Sequence, residues 1–503
     1  MRSNNFRASK VGRTGVAGHV AQIGPYRQNR YVSTTERTDR SGMVPIAPPH
    51  SRSLRHRRPL LGHPRSIFTV NSPQPTKFQR PDASSAVDIG AVEERVPMHT
   101  QEFAQNPHGY FQFMRDYYGD LPLIPVWIAE GIPATLVIKY ETARRILHDP
   151  AHFSADPRTW QTKLPTDRRL DFLPMVEWRS NALRSNGDSP EHKRYREATQ
   201  YALSKVNQFA LLDQLEYEAH NLINAFCAEG ATQDQPLDLI QHYVAPLTFT
   251  MLNYMVGSPP EIMARIAKAS ADLFEGQDTV ETNAQFASAL LDLITLRRTE
   301  PGDDITTRLI AHESELTDEE IAQQLVTCLS AGTQGPADLA ASTIKLLLTT
   351  PVHERPLTKT ALNQTLATDP PMANYQITYP RQPIAIDGVW LPADEPVIVS
   401  LMACCTDPMI NNGDYHSDGW HAGFGFGPHE CPNDAKSISL QIVHGLIDWL
   451  FDILPEIQLA VPAESLVWRP GPFAHGLLTL PVTFPRTPQM MPTRRPPTSQ
   501  YSG

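Results

Sequence analysis

The sequence predicts a mainly α-helical fold with small β-sheets, and three observations predict it. Seven long segments carry apolar residues at spacings near 3.6, the strand-like runs are short and come in pairs, and no internal repeat is present. With 503 residues, 41% of them hydrophobic, the chain has enough apolar material for one large core.

In chain order, residues 1–95 are rich in Arg, Ser, Pro and Gly and are expected to form a disordered extension, because so little apolar surface cannot offset the ordering entropy. Residues 1–80 carry a net charge of +13 against −23 for residues 81–503, so the two parts differ chemically. The extension reads as a passive tail rather than an arm for nucleic acid or an anionic membrane, and no nucleic-acid partner is expected.

The folded domain is expected over residues 96–486, followed by a disordered Pro-rich tail at 487–503. It opens with a helix at Asn106–Tyr118, strands at Leu123–Ile128 and Ala134–Ile138, and a helix at Thr142–His148. Helices follow at Glu191–Leu203, Ala210–Glu229, Leu237–Val256, Pro260–Phe274, Asn283–Thr299, Asp318–Leu348 and Ala435–Ile453. Strands are expected at Ile384–Leu391, Val397–Met402 and Leu477–Phe484, with Asp387-Gly388 as a hairpin turn in the first.

Five cysteines, odd in number and irregularly spread, do not form a disulfide framework, and a reducing compartment is expected. Cys404 and Cys405 lie in a strand-like apolar run and read as small core residues. No stretch approaches the roughly 20 apolar residues of a membrane-spanning helix. The protein is therefore expected to be cytoplasmic, and a monomer.

The sharpest local feature is Phe424-Gly425-Phe426-Gly427-Pro428-His429-Glu430-Cys431-Pro432, leading into the helix near Ala435. The glycines permit tight turns and close approach to a flat ligand, and a thiolate at a helix N-terminus is favoured by nearby backbone donors. Two other readings are open. Gly423-x-Gly425-x-Gly427 has the look of a nucleotide loop but no basic residue follows, and His416, His421, His429 and Cys431 include zinc-ligand types but match no paired spacing.

On these residues the sequence resembles the cytochrome P450 family, whose signature runs Phe-Gly-x-Gly-x-(His/Arg)-x-Cys-x-Gly; the match holds through Cys431 and departs at Asn433. The resemblance spans roughly residues 97–485. It implies the family's fold, an α-rich domain plus a β-rich lobe, and haem b as cofactor. Cys431 would ligate the iron, Phe424 and Gly425 would lie along the haem, and His429, His192 and Arg196 would meet its propionates. His192 and Arg196, spaced i, i+4, share a helix face. The family's further propionate arginine is Thr378 here, with Arg381 as a substitute.

Ala331, Gly332, Thr333 and Gln334 resemble the family's catalytic segment Ala-Gly-x-(Asp/Glu)-Thr, but Gln334 replaces the acid and Gly335 the alcohol, leaving Thr333 as the nearby hydroxyl. Pro336 is expected to kink this helix. Gln364 and Ala367 stand where the family has its Glu-x-x-Arg pair, and Asp407–Gly423 lacks the Pro-Glu-Arg-Phe motif that bonds to that pair. Thr159–Arg184, Leu329, Phe473 and Ala474 would border the substrate pocket.

The function implied is a monooxygenase that oxidises a small lipophilic molecule with O2 and electrons from a ferredoxin and ferredoxin reductase. The alternative is an atypical haem-binding protein, such as a ligand sensor, a complex subunit or a peroxide-driven oxidase.

Overall fold

The computed structural model describes residues 87–164, 177–274, 279–410 and 420–490. The expected disorder of residues 1–86 and 491–503, residues 165–176 of the pocket segment, and His416 lie outside the described residues.

Chain order begins with strand β1 (Val87–Asp88) and strand β2 (Val96–Pro97). Ile89 and Arg95 are buried, so ordered structure starts ahead of the boundary expected near residue 96. Arg95 is held by the carbonyls of Ala134 and Ile89 and by Glu395, contacts that a basic residue in a low-complexity stretch does not announce.

Short helices α1 (Gln101–Gln105) and α2 (Pro107–Tyr118) precede the antiparallel pair β3 (Leu123–Ala129) and β4 (Ile132–Val137). Helix α3 (Tyr140–Leu147), strand β5 (Phe153–Ser154) and the single turn α4 (Arg158–Gln161) complete the N-terminal lobe. Much of β3 and β4 is buried on both faces, giving continuous apolar runs rather than alternation.

The helical body contains α5 (Pro190–Ser204), α6 (Gln208–Asn224), α7 (Ala245–Val256), α8 (Pro260–Phe274), α9 (Thr279–Thr299) and α10 (Ile305–Ala311). The 32-residue α11 (Asp318–Thr349) runs through their middle, and α12 (Thr358–Thr368) packs beside it. Thr317 starts α11 with a capping box: its hydroxyl accepts from Glu320 N, and Glu320 Oε2 accepts from Thr317 N. Glu320 also binds both outer nitrogens of Arg194 and the Tyr195 hydroxyl, which ties α5 to the start of α11.

The expected helix over Leu237–Val256 begins later. Leu237–Asp238 forms strand β6, because Asp238 Oδ1 accepts from Ile240 N and Leu480 N and draws the chain into a sheet. A π-helical turn at Ile240–Val244 then leads into α7.

Strands β7 (Gln376–Pro380), β8 (Ile384–Ile386), β9 (Val389–Leu391) and β10 (Val397–Val399) follow. Asp387 and Gly388, both at positive φ, close the β8–β9 hairpin as expected. The expected strand at Val397–Met402 stops at Val399, because the Ser400 hydroxyl accepts from Ala403 N and starts helix α13 (Leu401–Cys405). Cys404 and Cys405 are therefore helical and buried, not strand residues.

Helix α14 (Asn433–Ile453), strand β11 (Gln458–Leu459) and strand β12 (Pro481–Thr483) complete the described chain. The expected strand at Leu477–Phe484 narrows to β12, flanked by isolated bridges at Leu477 and Phe484.

The strands make a six-stranded mixed sheet, β2-β3-β4-β10-β7-β5, and two three-stranded sheets, β1-β9-β8 and β11-β12-β6. One apolar core fills the helical body around α11, α7, α9 and α14; two smaller ones lie on the sheet lobe. Each fully buried Leu, Ile or Phe contributes about 1.5–3 kcal/mol. A mainly α protein with a β-rich lobe results, as the periodicity predicts.

Candidate functional site

The cysteine loop lies ahead of α14. Gly425 and Gly427 have φ of +72° and +79°, a region that favours glycine. A Cβ on Gly425 would sit 2.8 Å from the Gln376 side chain, and one on Gly427 would sit 2.7 Å from the Leu147 carbonyl oxygen. The loop is thus clamped between β7 and α3. Gln376 completes the clamp by donating to Phe426 O at 2.9 Å, while Cys431 N donates to Phe424 O at 3.0 Å and closes the loop on itself.

Cys431 is half-buried one residue before the α14 cap Pro432. Burial pushes its thiol up to about 11, against the pull of Lys436 and Arg196. The thiolate expected from the helix N-terminus is not favoured by the protein alone, since desolvation exceeds the help from nearby cations. A metal cation would displace the proton.

Beside the loop, the Ser189 hydroxyl caps α5 by accepting from His192 N at 3.1 Å. His192 and His429 meet with ring centroids 4.6 Å apart, and the His429 Nε2 lies 2.8 Å from Ser185 O. Burial lowers both imidazoles, His429 to about 4, and Arg196 near His192 adds to the effect. Arg196 donates to Glu430 O, on the loop itself. Gly187 permits the contact between segments, because a Cβ there would come within 2.7 Å of Pro428.

Arg184, buried at 3% exposure, stacks on Tyr375 and presses its charge on His429. In the sequence it is legible only as the end of the pocket segment Thr159–Arg184, not as a cation beside the loop, because arginine is normally exposed and no motif covers it. Arg381, half-exposed, pairs with Asp188 at 3.2 Å, next to the Gly187 that touches the loop. Thr378 is buried, its hydroxyl without a hydrogen-bond partner.

The middle of α11 is exposed. Ser330 and Ala331 are exposed although both flanks of this helix are buried. Cys328, one turn earlier, is raised to about 12 by burial and by the Cys431 thiol, so this turn of α11 lies within electrostatic reach of the cysteine loop.

Helical spacing sorts the four central residues. Ala331, Gln334, Gly335 and Asp338 share a face at i, i+3, i+4 and i+7. A Cβ on Gly335 would meet nothing within 4 Å, so this face borders open space. Gln334 Nε2 donates to Asp338 Oδ1 at 2.8 Å. Gly332 serves packing instead, since a Cβ there would strike Leu252 of α7 at 2.7 Å. Thr333, two positions from Ala331, lies off the open face, and its buried hydroxyl has no partner among the described residues. The helix runs through Pro336 without a break in its assignment.

A flat, doubly anionic cofactor with a thiol-seeking metal fits this donor set. Arg184 and Arg196 gather positive potential beside the loop, the neutral rings of His192 and His429 offer hydrogen-bonding nitrogens, and Cys431 offers a sulfur ligand. Among the described residues no three His, Cys, Asp or Glu side chains converge as metal ligands, which leaves the zinc reading without support there. Leu329 and Phe473 are buried, and Trp160 packs with Tyr379 nearby in the sheet lobe.

No family model matches the chain. Similar curated proteins include the vitamin D3 dihydroxylase of Streptomyces griseolus, 27% identical over 409 residues, covering 76% of this chain and 94% of that one. The cytochrome P450 monooxygenase PikC of Streptomyces venezuelae is 26% identical over 421 residues, with 80% and 94% coverage. Among solved structures, CYP154C4 from Streptomyces sp. ATCC 11861 superposes with a TM-score of 0.69 at 23% identity, over 79% of this chain and 100% of that one. The myxobacterial cytochrome P450 CYP267B1 gives 0.66 at 24%, with 77% and 98% coverage.

Proposed function

The chain belongs to the cytochrome P450 family, and from that premise we propose that it is a haem-thiolate monooxygenase acting on a small lipophilic molecule. The observation that carries the reading is Cys431 on a loop shaped by Gly425 and Gly427, within electrostatic reach of the exposed middle of α11. Haem b, the cofactor of this family, would be held by Cys431, His192, Arg196, Arg184 and His429, and supplies the oxygen-activating redox chemistry when bound.

The chain's own residues do the rest. Arg184 and Arg196 would neutralise the cofactor's two carboxylates, the glycines would let the backbone approach its flat face, and Ala331 with Gly335 would leave room for oxygen and guest. An apolar guest is in keeping with relatives named for vitamin D3. The overall change inserts one oxygen atom into the guest and forms one water, consuming two electrons and two protons. No flavin or iron–sulfur motif is present in the sequence, so the electrons would come from a ferredoxin and its reductase. We place the protein in the cytoplasm, as a monomer; no helix among the described residues is long and apolar enough to cross a membrane.

The deciding measurement is the reduced, carbon monoxide-treated spectrum of the haem-supplemented protein beside Cys431→Ala. A red-shifted thiolate band is expected in the parent and absent from the variant. A parent with no such band, or a band that survives the loss of sulfur, overturns the reading.

One observation favours a second reading, a haem protein that binds a ligand without efficient oxygenation. Gly335 faces open space where the family places a hydroxyl, and Gln334 cannot titrate. If Gln334→Glu with Gly335→Thr forms product where the parent forms none, the binding role is favoured. Comparable parent activity removes it.

A further inference from the structure

We propose that Asp338 takes over proton storage from the missing acid, and that His475, Asp369 and His108 connect it to solvent. The inference rests on the monooxygenase reading and names the chain's own groups that would meet its proton demand.

Asp338 lies one helical turn beyond Gln334, on the face of α11 that holds Ala331 and Gly335. It is buried at 3% exposure. Its Oδ1 accepts from Gln334 Nε2 at 2.8 Å and from Arg469 at 3.0 Å, and Oδ2 lies 3.4 Å from the other guanidinium nitrogen. A carboxyl has thus moved one turn along the same face, hydrogen-bonded to the amide that replaced the family's acid.

Beside Asp338, past Gly476, a line of titratable groups leads outward. Asp338 abuts Gly476 so closely that a Cβ there would overlap the carboxylate, and His475 precedes that glycine. The His475 ring is buried and stacked on Trp468 with centroids 3.7 Å apart. Its Nε2 lies 3.5 Å from Asp369 Oδ1, and the same oxygen lies 3.3 Å from Nε2 of His108, which is 43% exposed. One carboxylate oxygen therefore bridges a surface imidazole and a buried one.

Burial raises the Asp338 carboxyl despite Arg469, Gln334 and His475, so it readily takes a proton. Burial lowers His475 despite Asp369, with His108 and Lys345 adding to the effect, so it readily gives one up. Burial alone would raise Asp369, but His108 and His475 hold it well below the usual carboxylate range. In the relay, a proton enters at His108, passes over Asp369 to His475 and then crosses the stretch beside Gly476 to reprotonate Asp338, after Asp338 has given its own towards the opening beside Gly335. No electron moves, and each transfer returns its donor to its starting state.

The test uses the full chain loaded with haem. Infrared spectra of carbon-13 aspartate-labelled protein over about pH 4 to 8 should show a protonated carboxyl that titrates above ordinary aspartates. Asp338→Asn should delete it, and His475→Gln should shift its midpoint. Oxygen consumption driven by a surrogate ferredoxin and reductase should fall about tenfold or more in both variants, with a larger solvent deuterium effect. His475→Gln leaves the Arg469–Asp338 pair in place, so a fall there is not explained by a stranded guanidinium. The proposal is overturned if Asp338→Asn leaves the carboxyl spectrum unchanged, or if both variants consume oxygen at the parent rate. A parent that consumes no oxygen sinks the monooxygenase reading instead, and the infrared band still decides whether Asp338 holds a proton.

Discussion

Gly423 lies against Leu366 so closely that a Cβ built on the glycine would stand 2.9 Å from Leu366 Cδ2 and 3.1 Å from its carbonyl oxygen. The cysteine loop thus rests directly on α12, the helix that in the family carries the Glu-x-x-Arg charges. Here Gln364 and Ala367 carry no charge, and among the described residues the junction is made by contact. Gly423→Ala should push the loop off α12 and cost about 1–3 kcal/mol, the usual penalty for overpacking. A lowered urea midpoint together with faster haem loss would bear this out; an unchanged midpoint would not.

Ala367 tests the same junction from the charge side. It is buried at 3% exposure, in the place of the family's arginine, while Gln364 is half-buried on the preceding turn. Restoring only one member, by Ala367→Arg, buries an unpartnered cation, and the expected cost is about 3–5 kcal/mol. Adding Gln364→Glu should recover part of it. Chemical denaturation of the three proteins measures the coupling, and equal midpoints for the single and double variants would count against a rebuilt pair.

How much of this was legible in the sequence follows from which forces act locally. The long amphipathic helices and the Asp387-Gly388 hairpin were readable because their apolar period and turn chemistry are local. The cysteine loop was readable because its glycines and Pro432 state backbone geometry directly. The break at Leu237–Asp238 was not, since it depends on Asp238 accepting from Leu480 N, a partner far away in sequence. The place of Arg184 beside the loop was hidden for a similar reason: only the folded chain brings Tyr375 beneath it. Asp338 was within reach, one turn from Gln334 on the same face, but the eye follows the motif and stops at its end.

His421 supplies a pH dependence with a definite sign. Its Nδ1 accepts from Gly423 N at 3.2 Å, which requires a bare ring nitrogen, and burial, with Lys436, lowers the imidazole to about 4. The unfolded chain takes up the proton near pH 6.5, so it binds more protons than the native state between about 6.5 and 4. This contribution is complete above that window and is lost as the pH falls through it, at up to about 1.4 kcal/mol per pH unit. Urea titrations at several pH values should show a shallower acid slope in His421→Asn. An identical slope in both proteins would mean that the ring titrates normally.

The last prediction concerns the body that supports α11. Arg297 at the end of α9 pairs with Asp304 at 2.9 Å, both side chains almost fully buried, and donates to the Gly257 carbonyl at 2.5 Å. Gly257, at φ +79°, ends α7 and has no room for a Cβ beside Asp304. Three helix ends are therefore joined through one ion pair. Arg297→Ala leaves the Asp304 carboxylate buried without its cation and should cost about 3–5 kcal/mol. Replacing both, as Arg297→Met with Asp304→Leu, should recover most of that loss, because two desolvated charges are removed together. Recovery should remain incomplete, since Asp304 also caps α10 by accepting from Thr307 N at 2.7 Å, a contact worth about 1 kcal/mol. Thermal and urea denaturation of the two variants measures the order, and a double variant less stable than Arg297→Ala would show that the pair contributes more than its desolvation costs.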